Sequence, residues 1–505
     1  MLRGGFKGEA GLLTRREMLR FGMLGGAATV LPLQRLVPHA ASATHPLSVS
    51  FGGVSAGSPA VVPFEAVLPI PPVLQPVSSD ATTDYYEVTM RSAQVQILPG
   101  LTTTIWGYNG LFPGPTIRAR QNRRVVIRQF SQVDFNTAIH LHGAHVAPEH
   151  DGHPVDTIPP GGSREYVYPN RQRGATLWYH DHANHITGPN VYRGLAAFYL
   201  LEDDDEAALN LPSGEYDVPM VIQDRLFNTD GSLSYPDMIH GFLGDTILVN
   251  GAPHPRFPVA RRKYRLRFLN GSNNREFNLS LSPSVPIVQI GTDGGLVPAP
   301  VTRSSIRLAP AERVEVVVDF AALSVGSQVV VRDTFEQGWR SQIMRFDIDR
   351  DVPDPSTVAS SLRPLEALGT AGFTRNFDLS FDDQRQIWVI NGKGFDPDRD
   401  DAKPLLGRTE IWQFTNLSPF MHPLHLHLVQ FQVLDRQGQA PPAHEIGPKD
   451  TVAVQGFERV RILVRFTGYT GRYVFHCHRL EHEDRDMMGQ FRVVARPSGT
   501  DGGIV

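Results

Sequence analysis

The sequence holds one cysteine, Cys477, in 505 residues. One thiol cannot close an intrachain disulfide, so the chain must be held together without one. No run approaches the roughly 20 apolar residues that span a bilayer. Positive charge is not in excess: 48 Lys and Arg against 52 Asp and Glu give a net charge of −4, which removes the basic footprint of a nucleic-acid binder. The short run "ARRKYR" reads as the border of a strand rather than a phosphate site. Long helical periodicity is missing as well. What is plentiful is Gly, with 46, and Pro, with 40, punctuating short β-branched and aromatic runs. That is the pattern of a β-rich chain with many turns, and its length calls for about three domains.

The first 43 residues read as a targeting segment. Arg15 and Arg16 precede a short, glycine-containing apolar run, and "HAASATHP" supplies a small-residue cleavage site after Ala43. This resembles a twin-arginine export signal and places the mature protein in the periplasm, the cell envelope or outside; a chance Arg-Arg before a buried helix is the alternative. Residues 44–79, with "VLPIPPVLQPV", read as an extended proline-rich arm laid across the domains.

A repeat follows. Asn109-Gly110, Asn250-Gly251 and Asn391-Gly392 recur at intervals of 141 residues, each followed by strand-like runs. Three β-sandwiches are expected, at 80–205, 213–350 and 372–497, joined by "EDDDEAALNLPSGE" and "DVPDPSTVASSLRPLEALGT".

Of 19 histidines, eight form four H-x-H pairs: His140/His142, His180/His182, His425/His427 and His476/His478. On a strand, residues i and i+2 share a face, so each pair projects two imidazoles together. Two pairs fall in the first repeat, two in the third and none in the second, so an interface between the outer domains can gather all eight. Imidazole favours copper, zinc, iron and nickel, and eight rings divide as three, three and two around three ions. On "FHCH" the same alternation turns Cys477 to the opposite face. With His422, His482 and Met487 nearby it supplies two imidazoles, a thiolate and a thioether, the donor set of a blue-copper electron-transfer centre.

With "HLHG", "WYHDH", "HPLHLH" and "HCHRLEHEDRDMM" intact and in order, the chain resembles the multicopper oxidases over essentially its whole mature length. "HGAHVAPEHDGHPVD" and "NVYRGLAAFYLLED" look like the bacterial three-domain group of spore-coat laccases, bilirubin oxidases and phenoxazinone synthases. The resemblance implies an all-β chain of three cupredoxin-like Greek-key sandwiches binding four copper ions. Type 1 copper takes His422, Cys477 and His482 with Met487 axial, Met488 being the rival. Type 2 takes His140 and His425; one type 3 ion takes His142, His180 and His476, the other His182, His427 and His478. Four one-electron oxidations of a reducing substrate then feed the reduction of dioxygen to two waters. Asp151 and Glu483 match the family's proton-relay carboxylates; the plainer readings are an Asp-Gly turn and a helix-end acid. His145, His150 and His153 share the Asp151 loop as candidates to support the cluster.

The implied substrates are phenols, aminophenols, aromatic amines or bilirubin-type pigments, oxidised beside an exposed His422 or His482. The alternative is a metallo-oxidase acting on Cu(I), Mn(II) or Fe(II), against which stand only ten methionines with no cluster outside "DMMG". A copper-free structural relative and a two-domain nitrite reductase are disfavoured by the four intact pairs. "AHEIGPKDTV" and "DTFEQGWRSQ" are candidate linings of the substrate approach, with Trp339 either a stacking surface or a core residue. One chain supplies both halves of the cluster, so a monomer is expected.

Overall fold

The computed structural model describes residues 57–495; the export signal and the ends of the arm and tail lie outside them. The fold is all-β, built from six sheets that pair into three cupredoxin-like sandwiches. The first pairs a five-stranded sheet around Thr83–Val95 with a four-stranded sheet ordered Ile117–Arg120, Ala196–Glu202, Ala175–Asp181, Ile139–His142. The second pairs an eight-stranded and a five-stranded sheet. The third repeats the first: a five-stranded sheet around Thr409–Asn416, and a four-stranded one ordered Thr451–Val454, His422–Leu426, Gly471–Cys477, Met488–Val493.

The 141-residue repeat is visible in the hydrogen bonds. In each Asn-Gly pair both residues have positive φ: Asn109 55° and Gly110 70°, Asn250 50° and Gly251 83°, Asn391 53° and Gly392 71°. Gly and Asn tolerate this region best, and a two-residue turn with both φ positive matches the twist of its flanking strands. Each Asn side chain then accepts a backbone N–H from a preceding strand: Asn109 from Thr89 at 2.8 Å, Asn250 from Val221 at 2.8 Å, Asn391 from Asp378 at 2.7 Å.

The strand Ala196–Glu202 shows how the sandwiches join. Ala197, Tyr199 and Leu201 fill the first core, while Ala196, Phe198 and Leu200 face a second apolar cluster with Val221 and Leu269 of the middle sandwich and Leu480 of the third. Covering both faces explains why "LAAFYLL" is apolar without alternation. Each large side chain so buried contributes about 1.5–3 kcal/mol, and together they fix the sandwiches against one another. The arm lies across two of them, with Val67 bridged to Arg256 and Val73 to Thr116. No helix among the described residues is long and apolar enough to cross a membrane.

Candidate metal centres

The eight H-x-H histidines meet where the four-stranded sheets of the outer sandwiches face each other. Register sets them: His140 lies opposite His180 on one sheet and His425 opposite His476 on the other. None is more than 1% exposed.

Acceptors hold the outer ring nitrogens. His140 Nδ1 donates to the Asp151 carbonyl at 2.7 Å, His425 Nδ1 to the Asp450 carbonyl at 2.8 Å, and His427 Nδ1 to Asp151 Oδ2 at 2.7 Å. Glu483 spans two rings, with Oε1 3.1 Å from His182 Nδ1 and Oε2 2.9 Å from His476 Nδ1. Such partners keep the proton on Nδ1 and leave a lone pair on Nε2. Those Nε2 atoms converge: His182 lies 3.2 Å from both His427 and His476, those two are 3.3 Å apart, and His140 is 3.3 Å from His425. Two bare lone pairs cannot hydrogen-bond, so each contact calls for a cation between them. Burial, reinforced by neighbouring imidazoles, pushes His140, His425 and His427 well below the usual range, so protonation does not supply that cation.

The remaining three rings form a second triad. His142 Nδ1, His180 Nε2 and both nitrogens of His478 are buried without a protein partner. Trp178 stacks on His180 at 4.2 Å, and His142 Nε2 reaches Asp450 Oδ1 and Thr451 Oγ1 at 3.0 Å.

One expectation is corrected here. His478, not His476, groups with His142 and His180, and His476 groups with His182 and His427. Alternation puts both rings on one face, about 6.6 Å apart along the strand. Which end meets which facing strand is decided by the docking of the sandwiches, a contact that strand periodicity does not encode.

On the opposite face Cys477 Sγ lies 3.5 Å from His422 Nδ1 and 3.8 Å from His482 Nδ1, and these two nitrogens are 3.2 Å apart. Burial pushes the thiol up to about 12, so forming the thiolate requires a bound cation. The Arg479 backbone N–H points at Sγ from 3.4 Å, and Ser418 Oγ lies 2.9 Å from His422 Nε2. Met487 is fully buried in the apolar cluster that contains Cys477, and its carbonyl accepts the Cys477 N–H at 3.0 Å. Met488 instead opens the neighbouring strand, opposite His476. Thiolate, imidazole and thioether together suit copper.

Three models described as multicopper oxidase match residues 89–206, 203–345 and 373–497. A laccase of Bacillus subtilis is 38% identical, the match covering 84% of this chain and 97% of that one. The chain belongs to the multicopper oxidase family. A bilirubin oxidase of Albifimbria verrucaria is 36% identical over 91% of this chain and 86% of its own. The crystal structure of a laccase from Pediococcus acidilactici matches with a TM-score of 0.81 at 35% identity, covering 87% of this chain and 95% of that one. As a multicopper oxidase it is a copper-dependent oxidoreductase with dioxygen as acceptor.

The surroundings of the Cys477 centre depart from the sequence reading. His422 and His482, expected at the surface, are both fully buried. Trp388 covers them, stacked on His482 at 4.2 Å and edge-on to His422 at 4.9 Å. Its Nε1 donates to the Ile239 carbonyl at 2.9 Å, which ties this cover to the middle sandwich. Outside it, Phe420 lies 5.8 Å from Trp388, and His240 stacks on Phe420 at 5.4 Å. Trp388 stands in "IWVING" and reads there only as a strand residue; its contact is purely tertiary. Trp339 is 51% exposed, and its ring meets His254 rather than a ligand histidine. Within "AHEIGPKDTV", Asp450 and Thr451 face the histidine cluster instead of the Cys477 centre. In the Asp151 loop, His145 Nδ1 donates to the Leu428 carbonyl and His153 Nε2 meets Gln490 Oε1, both at 3.0 Å, clamping the loop to the third sandwich.

Proposed function

We propose that the protein is a laccase-like oxidase that takes single electrons from phenolic, aminophenolic or bilirubin-type aromatics. The observation that carries this is the aromatic layer of Trp388, Phe420 and His240 over the His422–His482 pair. Stacked rings receive a planar aromatic reductant better than a hydrated metal ion. Four coppers fit the donors: His422, Cys477, His482 and Met487 for one, His140 and His425 for a second, His142, His180 and His478 for a third, His182, His427 and His476 for the fourth. Bound copper supplies one-electron oxidation at the thiolate site and dioxygen reduction at the histidine cluster.

The chain's own residues do the rest. His476, Cys477 and His478 are consecutive, so one covalent stretch joins the two centres. Trp388 and Phe420 keep water off the imidazoles. Asp151 and Glu483 handle protons, in environments that drive them apart. Burial pushes Asp151 well above the carboxylate range, and its Oδ1, which makes no hydrogen bond among the described residues, can hold a proton. Burial also opposes ionisation of Glu483, but His476 and His182 outweigh it and hold that carboxyl well below its usual range. The division at 80–205, 213–350 and 372–497 and action as a monomer belong to the same reading, supported by the 141-residue repeat and by one chain furnishing both halves of the cluster; export rests on Arg15 and Arg16 ahead of a short apolar run.

The test is oxygen uptake by the copper-loaded protein with a dimethoxyphenol, an aminophenol, bilirubin and Cu(I). The aromatics should give the higher kcat/KM; Cu(I) exceeding all three would reverse the assignment to a metallo-oxidase.

A further inference from the structure

A cavity of about 400 Å³ lies between the second and third sandwiches, away from the aromatic layer. Most of the residues lining it are charged or polar, with Leu308, Val314, Pro442 and Ala453 between them, and among the described residues no aromatic ring other than the imidazole of His444 lines it. The charges are nearly all satisfied. Arg307 grips Glu276 at 2.5 Å, and Arg436 grips Glu445 at 2.7 Å and Glu458 at 2.9 Å. Lys449 lies 3.2 Å from Glu312 and is held from behind by Asp293 at 2.9 Å. Arg313 is taken by Asp450 at 2.5 Å.

Arg303 is the exception. Among the described residues it makes no ion pair, and its one side-chain hydrogen bond runs to Gln289 Oε1 at 2.9 Å. Gln289 is itself fixed, its Nε2 donating to the His444 carbonyl at 2.8 Å, so the guanidinium is positioned rather than free to swing. Burial lowers the Arg303 pKa and outweighs the opposing charges of Glu445 and Glu312, neither of which pairs with it, a cost that an anion in direct contact would reduce. Burial, then the Arg303 charge, also brings His444 down to about 4, so at neutral pH it is a neutral ring able to donate one N–H. The imidazole makes no hydrogen bond among the described residues.

We propose that this cavity binds a small compact polyanion, a di- or tricarboxylate or inorganic phosphate, with Arg303 as its anchor and His444 as a second donor. Arginine's planar fork matches carboxylate and phosphate oxygens two at a time. The remaining basic groups are locked in pairs and set the shape of the site. An aromatic reductant finds no stacking surface here, which separates this site from the oxidation site.

The experiment is calorimetric titration of the copper-loaded protein with citrate and, separately, inorganic phosphate. Arg303→Gln and Arg303→Lys are measured beside it, with the visible copper spectrum as the check that each variant is folded and loaded. Arg303 touches no proposed copper ligand, so the spectrum should be unchanged. Saturable binding of either anion is expected, weakened about tenfold or more in Arg303→Gln and partly retained in Arg303→Lys. The arm that saturates identifies the source of the chemistry. No saturable heat from either anion, or equal affinity in wild type and Arg303→Gln with intact spectra, would overturn the proposal.

Discussion

The outer and middle sandwiches share the Asn-Gly turn, its side-chain hydrogen bond and a parallel strand pair beside it, yet they bury opposite chemistry. The first and third bury imidazoles whose Nε2 atoms face one another. The middle one buries guanidinium and carboxylate: Arg265, Arg267 and Glu315 are at most 3% exposed, with Arg267 3.0 Å from Glu315 and 2.6 Å from Asp217. Its strand Phe277–Ser282 carries Asn278 and Ser280 in alternate positions, where the strand Ile139–His142 carries His140 and His142. One frame thus serves two purposes. Where the buried polar groups lack internal partners the protein needs a metal, and where they neutralise each other it has a structural joint.

Breaking the metal side should have the largest effect. Cys477→Ser should remove the intense visible copper–thiolate band and bring oxidase activity to background, while circular dichroism stays that of a folded β protein. Persistence of the band would mean that the thiolate is not a ligand. Next comes Glu483→Gln, which takes the shared carboxylate from His182 and His476. It should lower kcat by about 10²- to 10⁴-fold with the visible band retained, as for loss of a proton-transfer group; loss of copper instead would mean that Glu483 only orients the rings.

The joint should behave differently. Glu315→Gln leaves Arg265 and Arg267 without their shared carboxylate, and should cost about 3–5 kcal/mol of stability in thermal or denaturant unfolding without moving the visible band. Burial raises the pKa of Glu315 and Asp217, but the two arginines outweigh it and hold both below their ordinary values of 4.5 and 3.8. Carboxyls so depressed stabilise the fold above those values and lose that contribution as pH falls through the folded ones. The wild-type melting temperature should therefore drop as pH falls below the 4.5 and 3.8 of the unfolded carboxyls, and Glu315→Gln should flatten that drop. The smallest effect is expected from Ser418→Ala, which removes the partner of His422 Nε2 and should weaken copper retention at the Cys477 centre by about 10- to 100-fold, measured by competition with a chelator.

The metal side was the more legible of the two because it is written in local patterns. An H-x-H on a strand announces its geometry through alternation alone, and Cys477 between His476 and His478 announces a second site on the other face. The buried joint was not legible, since Arg265 ends the run "ARRKYR", which reads as the border of a strand, and no local pattern pairs it or Arg267 with a carboxylate. Only the covering of their face by Thr176 and Glu206 makes them interior. Trp388 was missed for the same reason, its role coming from the Ile239 carbonyl and the His482 ring rather than from its neighbours in sequence.

The sequence by itself therefore determined the repeat, the fold class, which side chains can bind copper and that Cys477 opposes the histidines beside it. These follow from backbone periodicity and the donor chemistry of single residues. The tertiary structure alone decided which histidines group together, that Trp388 covers His422 and His482, and which charges among the described residues are left without an ion pair. Each of those is a contact between strands far apart in the chain, set by the docking of whole sandwiches, and strand periodicity carries no record of it.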